Sequence, residues 1–393
     1  MGFQAGRATF MRFKVKGDQP RLFDDTQLER LRDHQIGRAK VASADGVESG
    51  WTAGGHVLDL DFALEKNVLN DALLFDLRTD KDQPPADLLR AYYETELKAL
   101  ASANPSGTAS ARQKREAKQI ARERVEQEAK DGRFRKRKTT PVLWHRGAGE
   151  VWFGTGSVAA VDRFAVLFEQ TFGLTLDALP AGRQAYLTAE IGGRTRWVDD
   201  AALAPFVPAV TPPDVAWIAD ESSRDFIGNE FLLWLWYYAD VESDTVTLAD
   251  GSDVTYMLAQ SLALDCPRGQ TGSETIRHEG PTRLPEAKRA IQAGKLPRKT
   301  GLTLVRHNEQ YELGLTAETL AVAGAKLPPL DDDTGAGRPT VENRVEKFLA
   351  LVETLDLLYA AFLDRRLSDD WNKKHLPAMQ KWLGGARAAD SAA

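Results

Sequence analysis

Basic residues concentrate in one stretch of the sequence, between positions 112 and 138. Twelve lysines and arginines stand there against five acidic residues, although the whole chain carries a formal net charge of −6. Charge is therefore segregated along the chain, and a local positive patch can attract a polyanion even when the protein as a whole is acidic. Cations of this kind neutralise phosphates and release counterions, which is the chemistry of sequence-independent nucleic-acid binding.

The densest part of this stretch is its end, where residues 133–138 read Arg-Phe-Arg-Lys-Arg-Lys and no acidic residue follows before Glu150. Without a carboxylate that follows closely in sequence, these side chains are expected to keep counterions that phosphate can displace. They are the first predicted DNA-binding residues: Arg133, Arg135, Lys136, Arg137 and Lys138.

The preceding residues, 112–130, have helical spacing and allow two interpretations. Arg122 with Glu126, and Arg124 with Glu128, are i,i+4 pairs of the kind that decorate any solvated helix. The alternative is that cations of this helix, with Lys118 as the predicted DNA-binding residue, add phosphate contacts to those of residues 133–138.

A second, thinner basic set lies between positions 283 and 306. We predict Lys295 and Lys299 as further DNA-binding residues within it. A solvated helix with its loop is the alternative interpretation of the same residues.

Residues for catalysis are sparse by comparison. The six histidines include no pair at a metal-chelating spacing, and Cys266 is the only cysteine. Three consecutive aspartates at 331–333 could bind Mg²⁺ in a nuclease, although such runs beside glycine and proline are more often solvated linkers. We therefore predict no cofactor, no metal and no enzymatic activity. A metal-dependent nuclease, or a phage-defence enzyme acting on DNA, is the alternative.

Hydrophobic periodicity indicates the elements that would position these residues. Residues 9–15 predict a first strand, and residues 142–145 and 150–153 predict a hairpin that leads into a helix at 158–172. Strand pairs followed by helices indicate an α+β fold, with mixed or antiparallel sheets, packed helices and a charged helical arm.

Two further segments carry specific predictions. Residues 57–60 are expected to form a strand. Trp234 and Trp236, inside the apolar run 231–238, could stack on bases, but they are expected to lie in the core.

Composition also indicates a division of the chain and its cellular address. A Pro- and Ala-rich stretch from position 204 predicts one unit at 1–203, which includes a basic helical segment at 84–138, and a second at 204–393, which ends in a long apolar-faced helix. A single cysteine fits a reducing compartment. The N-terminus lacks the apolar core of a signal peptide, and no apolar run reaches the roughly 20 residues of a membrane span. We expect a cytoplasmic protein without membrane contact.

The order of these segments resembles that of the bacterial recombination-associated protein RdgC family over most of residues 1–365. The matching segments are Gly50-Trp51, Arg133-Phe134-Arg135-Lys136-Arg137, the strand pair with Trp152, residues 286–295 (Glu-Ala-Lys-Arg-Ala-Ile-Gln-Ala-Gly-Lys) and residues 300–304 (Thr-Gly-Leu-Thr-Leu).

This resemblance implies a nucleoid-associated α+β subunit that pairs into a closed ring dimer around double-stranded DNA and limits the access of RecA to it. Basic residues would face the hole of the ring. Carried to this sequence, the implied hole-facing residues are Arg133, Arg135, Lys136, Arg137, Lys295 and Lys299.

Overall fold

The computed structural model describes residues 2–38, 46–105, 107–208, 215–218, 220–268, 272–330 and 337–390. Its strands are β1 (Ala8–Lys16), β2 (Val47–Thr52), β3 (Val68–Leu69), β4 (Ala72–Asp82), β5 (Arg135–His145), β6 (Glu150–Phe153), β7 (Thr175–Ala178), β8 (Thr245–Thr247), β9 (Asp253–Asp265), β10 (Ser273–His278), β11 (Leu296–Arg306), β12 (Glu309–Thr316) and β13 (Val322–Lys326). Its α-helices are α1 (Asp25–Asp33), α2 (Leu64–Asn67), α3 (Ala86–Ser102), α4 (Ala111–Ala129), α5 (Val158–Phe172), α6 (Ala181–Ile191), α7 (Thr195–Asp199), α8 (Phe226–Val241), α9 (Pro285–Gln292), α10 (Arg338–Arg366) and α11 (Leu376–Asp390).

The strands form one open antiparallel sheet in the order β10-β9-β11-β12-β13-β1-β6-β5-β4-β2, with β3, β7 and β8 paired beside this path. The fold is therefore α+β, as predicted from the sequence. Strand β1 joins the two halves of the sheet, because Ala8 and Phe10 pair with β13 while residues 11–14 pair with β6. Strand pairing thus continues across the boundary expected at position 204.

Side chains alternate between the two faces of the sheet and fill two separate cores. On β4, Leu74 belongs to the larger core, whereas its neighbours Leu73 and Phe75 belong to the smaller one. Helices α6, α8, α10 and α11 contribute to the larger core, and α1 and α5 to the smaller. Trp234 and Trp236 are 2% and 1% exposed within the larger core, which confirms the expectation that they are core residues.

A buried ionic network fixes α10 to the sheet. The Arg12 guanidinium of β1 donates from Nε and Nη2 to Glu150 of β6, each at 3.0 Å. It also donates from Nη1 and Nη2 to Asp356 of α10, at 2.5 and 2.8 Å. The position of the longest helix is therefore set by charge-assisted hydrogen bonds as well as by apolar packing.

The predicted strand at 9–15, the hairpin at 142–153 and the helix at 158–172 are present as β1, the β5–β6 pair and α5. The strand predicted at 57–60 is wrong, because this segment is a loop. The Asp59 carboxylate accepts hydrogen bonds from the amides of Gly55 and Asp61, at 2.8 and 3.2 Å. Such local side-chain bonds compete with strand formation. The aspartates at 331–333 lie outside the described residues.

Candidate nucleic-acid interface

Helices α3 and α4 form an arm inserted between two paired strands. Strands β4 and β5 pair along their full length, from Ala72 opposite His145 to Asp82 opposite Arg135, and the Gln83 amide extends the pairing to the Phe134 carbonyl at 3.0 Å. The second helix of the arm begins at a capping box, in which Ser110 and Gln113 exchange side-chain and backbone hydrogen bonds. The arm thus continues from the end of a rigid β-ribbon.

The arm itself packs sparsely. Among the described residues α3 buries no side chain fully, and α4 buries only Ala117, Ala121 and Val125. Polar contacts add to this thin seam: the Tyr92 hydroxyl donates to Glu128, and Arg124 lies over the Tyr92 ring. Most of the arm surface is therefore open to solvent.

Arg124 also shows how the charges of the arm are compensated. It pairs with Glu96 of α3 at 2.9 Å rather than with Glu128 one turn along its own helix. The i,i+4 pair expected between Arg122 and Glu126 is likewise absent among the described ion pairs.

One side of α4 carries cations without carboxylate partners. Arg115, Lys118 and Arg122 are exposed and follow one another at helical spacings of three and four residues. No ion pair joins any of them to a carboxylate in the part of the chain that the structure describes. We call these three residues the helix stripe; it contains the predicted residue Lys118.

At the base of the arm, strand alternation divides the basic segment 133–138 between two faces of the ribbon. Arg135 lies opposite Asp82 and Arg137 opposite Asp80, while Lys136 lies opposite Lys81 and Lys138 opposite Thr79. Arginines and lysines alternate along this strand, and they therefore lie on opposite faces of the ribbon.

The arginines lie on a face where their charges are compensated. Arg135 pairs with Glu48 of β2 at 3.2 Å and with Asp82 at 3.9 Å. Arg137 approaches Asp80 at 3.7 Å, and this buried carboxylate also receives Arg78 at 2.6 Å. The expectation that these arginines lack acidic partners, which rested on the sequence after them, is thus wrong.

Arg133 is compensated in the same way, although it precedes the strand. Its guanidinium pairs with Asp131 at 2.5 Å and lies 3.9 Å from Glu128. These contacts raise the pKa of Arg133 above its ordinary value, through the hydrogen bond and the charge of Asp131.

The lysines lie on the other face. Lys81, Lys136 and Lys138 are exposed, and none forms an ion pair with any carboxylate that the structure describes. Lys81 and Lys136 are directly opposite each other, an arrangement of like charges that lowers the stability of a strand pair. We call these three residues the lysine face. A bound anion would remove the repulsion between them.

Sequence reasoning missed Lys81. It stands between Asp80 and Asp82, so the local sequence carries a net negative charge rather than a positive one. The only signal is period-two alternation, which places Lys81 on the face opposite to both aspartates. That signal becomes informative only when the pairing of β4 with β5 is known.

Three cations of the second basic set are paired with carboxylates of the fold. Lys295 is 4% exposed, and its ammonium pairs with Glu274 at 2.5 Å. This burial contradicts an exposed phosphate-binding role for Lys295. Lys299 is exposed on β11 and has no ion pair among the described residues. The two predicted cations therefore differ, because Lys295 is buried and paired whereas Lys299 is exposed.

Arg298 and Arg306, from the same set, are held by carboxylates. Arg298 pairs with Glu318 at 2.8 Å and with Asp265 at 3.3 Å. Arg306 is 5% exposed, with Asp250 at 2.5 Å and Glu353 at 3.0 Å. Their ion pairs connect β11 to β9, to the loops that hold Glu318 and Asp250, and to α10.

In the described part of the chain, no group of three or more His, Cys, Asp or Glu side chains is placed to hold a metal ion. No described helix is both long and apolar enough to cross a membrane. Neither a family model nor a curated protein matches this sequence. The resemblance to the RdgC family thus stays a prediction.

Proposed function

We propose that this protein binds double-stranded DNA without reading its sequence, through the lysine face at the base of the arm and the helix stripe along it. One observation carries the proposal: strand alternation gathers Lys81, Lys136 and Lys138 on one face, where none of them pairs with a carboxylate that the structure describes. The arginines on the other face do have such partners. Cations that lack protein partners keep counterions, and the release of those counterions drives binding to phosphate.

The residue types favour contacts to the phosphate backbone. Four of the six cations are lysines, whose flexible point charges neutralise phosphate without a fixed bidentate geometry. Six cations, three on the lysine face and three in the helix stripe, would lose roughly 1,000-fold in affinity between roughly 50 and roughly 200 mM salt. Duplexes of unrelated sequence should bind alike.

Two double variants on the same strand test the site. Lys136→Gln with Lys138→Gln removes two charges from the lysine face, and Arg135→Gln with Arg137→Gln removes two from the compensated face. The lysine variant should weaken binding to every duplex and lower the salt slope by about two, since each lost phosphate contact contributes about one. The arginine variant should bind nearly like the parent. Fluorescence anisotropy with a labelled duplex over a salt series gives both slopes.

Thermal melts of both variants are the control for folding. The lysines are exposed, so their replacement should change the free energy of unfolding by less than about 0.5 kcal/mol. Equal loss of binding in the two variants, or full binding by the lysine variant, would contradict the assignment of the lysine face. A parent that binds duplex DNA with no salt dependence would contradict the proposal as a whole.

The resemblance to the RdgC family extends the proposal to assembly and regulation. We infer a homodimer that closes as a ring around DNA, associates with the nucleoid in the cytoplasm, and limits RecA without catalysing a reaction on DNA. Two chains that close a ring require isologous contacts. Light scattering should give twice the 43.4 kDa mass of one chain, and a single-chain mass at micromolar concentration would contradict the dimer.

A further inference from the structure

A cleft separate from the arm lies where α7 and the loop after it face the end of α10. Its volume is about 570 Å³, which is in the range of small-molecule sites. The lining includes Arg196 and Trp197 at the mouth and Arg366 and Trp371 in the wall. DNA binding as proposed above uses none of these residues.

Arg366 supplies a fixed and partly unused hydrogen-bond donor. Its side chain is 8% exposed, with Nε donating to Glu230 at 2.5 Å and Nη2 donating to the Ala202 carbonyl at 2.8 Å. The guanidinium lies over the Trp371 ring, 4.9 Å from its centroid. No described acceptor bonds Nη1, so one end of an oriented guanidinium is left for a ligand. A donor held in place in advance loses little entropy on binding.

Several contacts fix the residues that surround Arg366 in the wall of the cleft. Trp371 is 2% exposed and packs edge-to-face against Phe362. It begins a π-helical turn, Trp371–His375, and π-helical turns are frequent at functional sites. Across the cleft, the Ala204 amide donates to Glu230 at 2.7 Å, so the same carboxylate fixes both the loop and Arg366.

The mouth of the cleft presents a flat aromatic surface and a cation. Trp197 is 41% exposed, so part of its ring is open to a ligand at the mouth of the cleft. Arg196 is 91% exposed at its side chain; its Nε contacts Asp200 at 3.3 Å, and no other described carboxylate pairs with it. An aromatic ring placed against Trp197 would bring a substituent within the field of both arginines.

We propose that this cleft binds a small molecule made of a flat aromatic ring that bears one anionic group. The ring stacks on Trp197, and the anion accepts hydrogen bonds from Arg366 Nη1 and from Arg196. Both a carboxylate and a phosphate have this chemistry, since arginine recognises the planar or tetrahedral oxygens of either group. The neutral form of the same ring keeps the stacking and loses the charged hydrogen bonds.

Calorimetry and tryptophan fluorescence test the site with two anions, naphthoate and adenosine monophosphate, and their neutral counterparts, naphthylmethanol and adenosine. At least one anion should bind to a single site, and about tenfold or more tighter than its neutral counterpart, as expected for a charged hydrogen bond. Binding by only one of the anions supports the proposal and indicates which combination of ring and anionic group the cleft accepts. Absence of saturable binding by both, or equal binding of neutral and anionic forms, would overturn the proposal.

Variants at the mouth separate this cleft from other surfaces. Trp197→Ala should weaken binding of the anion about tenfold or more through lost stacking, which is of the size found for aromatic platforms. Arg196→Gln should bring the affinity of the anion closer to that of the neutral probe. Ile191→Ala, at a residue 92% exposed and outside the cleft, is the matched control and should bind like the parent. Each variant changes an exposed side chain, and a thermal melt checks its fold. Unchanged binding by Trp197→Ala would overturn the assignment.

Discussion

Two basic regions of this chain resemble each other in sequence and differ in the structure. In the segment at the base of the arm, alternate residues lie on a face where the structure describes ion pairs with carboxylates and on a face where it describes none. In the region 283–306, Lys295 and Arg306 are buried with acidic partners. The density of positive charge in a sequence therefore does not identify a binding surface. The placement of carboxylates by the fold determines which of the cations are paired.

The physical reason is that a cation already paired with a carboxylate releases few counterions when phosphate binds. A lysine such as Lys295, whose ammonium already contacts a carboxylate, has no counterion to release when phosphate arrives, and its removal from Glu274 would cost this partly buried hydrogen bond. Lys136 has another lysine as its cross-strand neighbour and forms no ion pair with a described carboxylate, so phosphate could displace a counterion there. The same residue type thus stabilises the fold in one place and is available to a ligand in the other.

Replacing Arg306 with Ala should have the largest effect and tests the structural side of this comparison. Arg306 connects β11 to Asp250 and to Glu353 of α10, and it is nearly fully buried. The replacement removes a buried side chain and its hydrogen bonds to Asp250, Ser252 and Thr354, so we expect a loss of about 3 kcal/mol in the free energy of unfolding. Urea denaturation measures this loss, and the salt slope of DNA binding should stay unchanged.

Lys299→Gln is the matched control on the same strand. Its side chain is exposed and has no described ion pair, so its stability should stay within about 0.5 kcal/mol of the parent. If Arg306→Ala were stable and bound DNA with a reduced salt slope, the second region would be a binding surface, and the comparison would fail.

Much of the fold could be predicted from local patterns. The alternation of residues 9–15 and the periodicity of residues 158–172 follow directly from which side chains must be buried, and both elements are present as β1 and α5. The loop at 57–60 was not predictable in this way, because the carboxylate of Asp59 outweighs a short apolar pattern by bonding two backbone amides.

The candidate site was only partly predictable because its decisive contacts are distant in sequence. Arg135 and Arg137 meet carboxylates from Glu48 and Asp80, which precede them by more than fifty residues. Strand register determines those contacts, and register follows from the whole hydrophobic pattern of the sheet rather than from any one segment. Sequence reasoning could find the basic segment, but it could not assign its members to faces.

Strand β4 offers a smaller version of the same comparison between paired and unpaired charges. Asp80 and Asp76 are both buried, at 2% and 6% exposure. Asp80 receives two hydrogen bonds from Arg78, at 2.7 and 2.6 Å. Asp76 has no described cationic side chain as an ion-pair partner, and burial raises its pKa to about 6, against a smaller lowering by the hydrogen bond from Thr139.

Asp76→Asn should therefore change how stability depends on pH. The folded-state pKa of Asp76 lies above its unfolded value of about 3.9, so its favourable contribution is fully present below pH ~3.9 and is lost as pH rises through about 6. Asparagine is neutral throughout, so the variant should gain about 2 kcal/mol relative to the parent between pH ~4 and pH ~7. Urea unfolding at several pH values measures this difference.

Asp82→Asn, at an exposed residue of the same strand, is the control and should follow the parent. A parent and an Asp76→Asn variant with parallel pH profiles would mean that Asp76 stays ionised in the fold, and that this end of the ribbon compensates both of its aspartates.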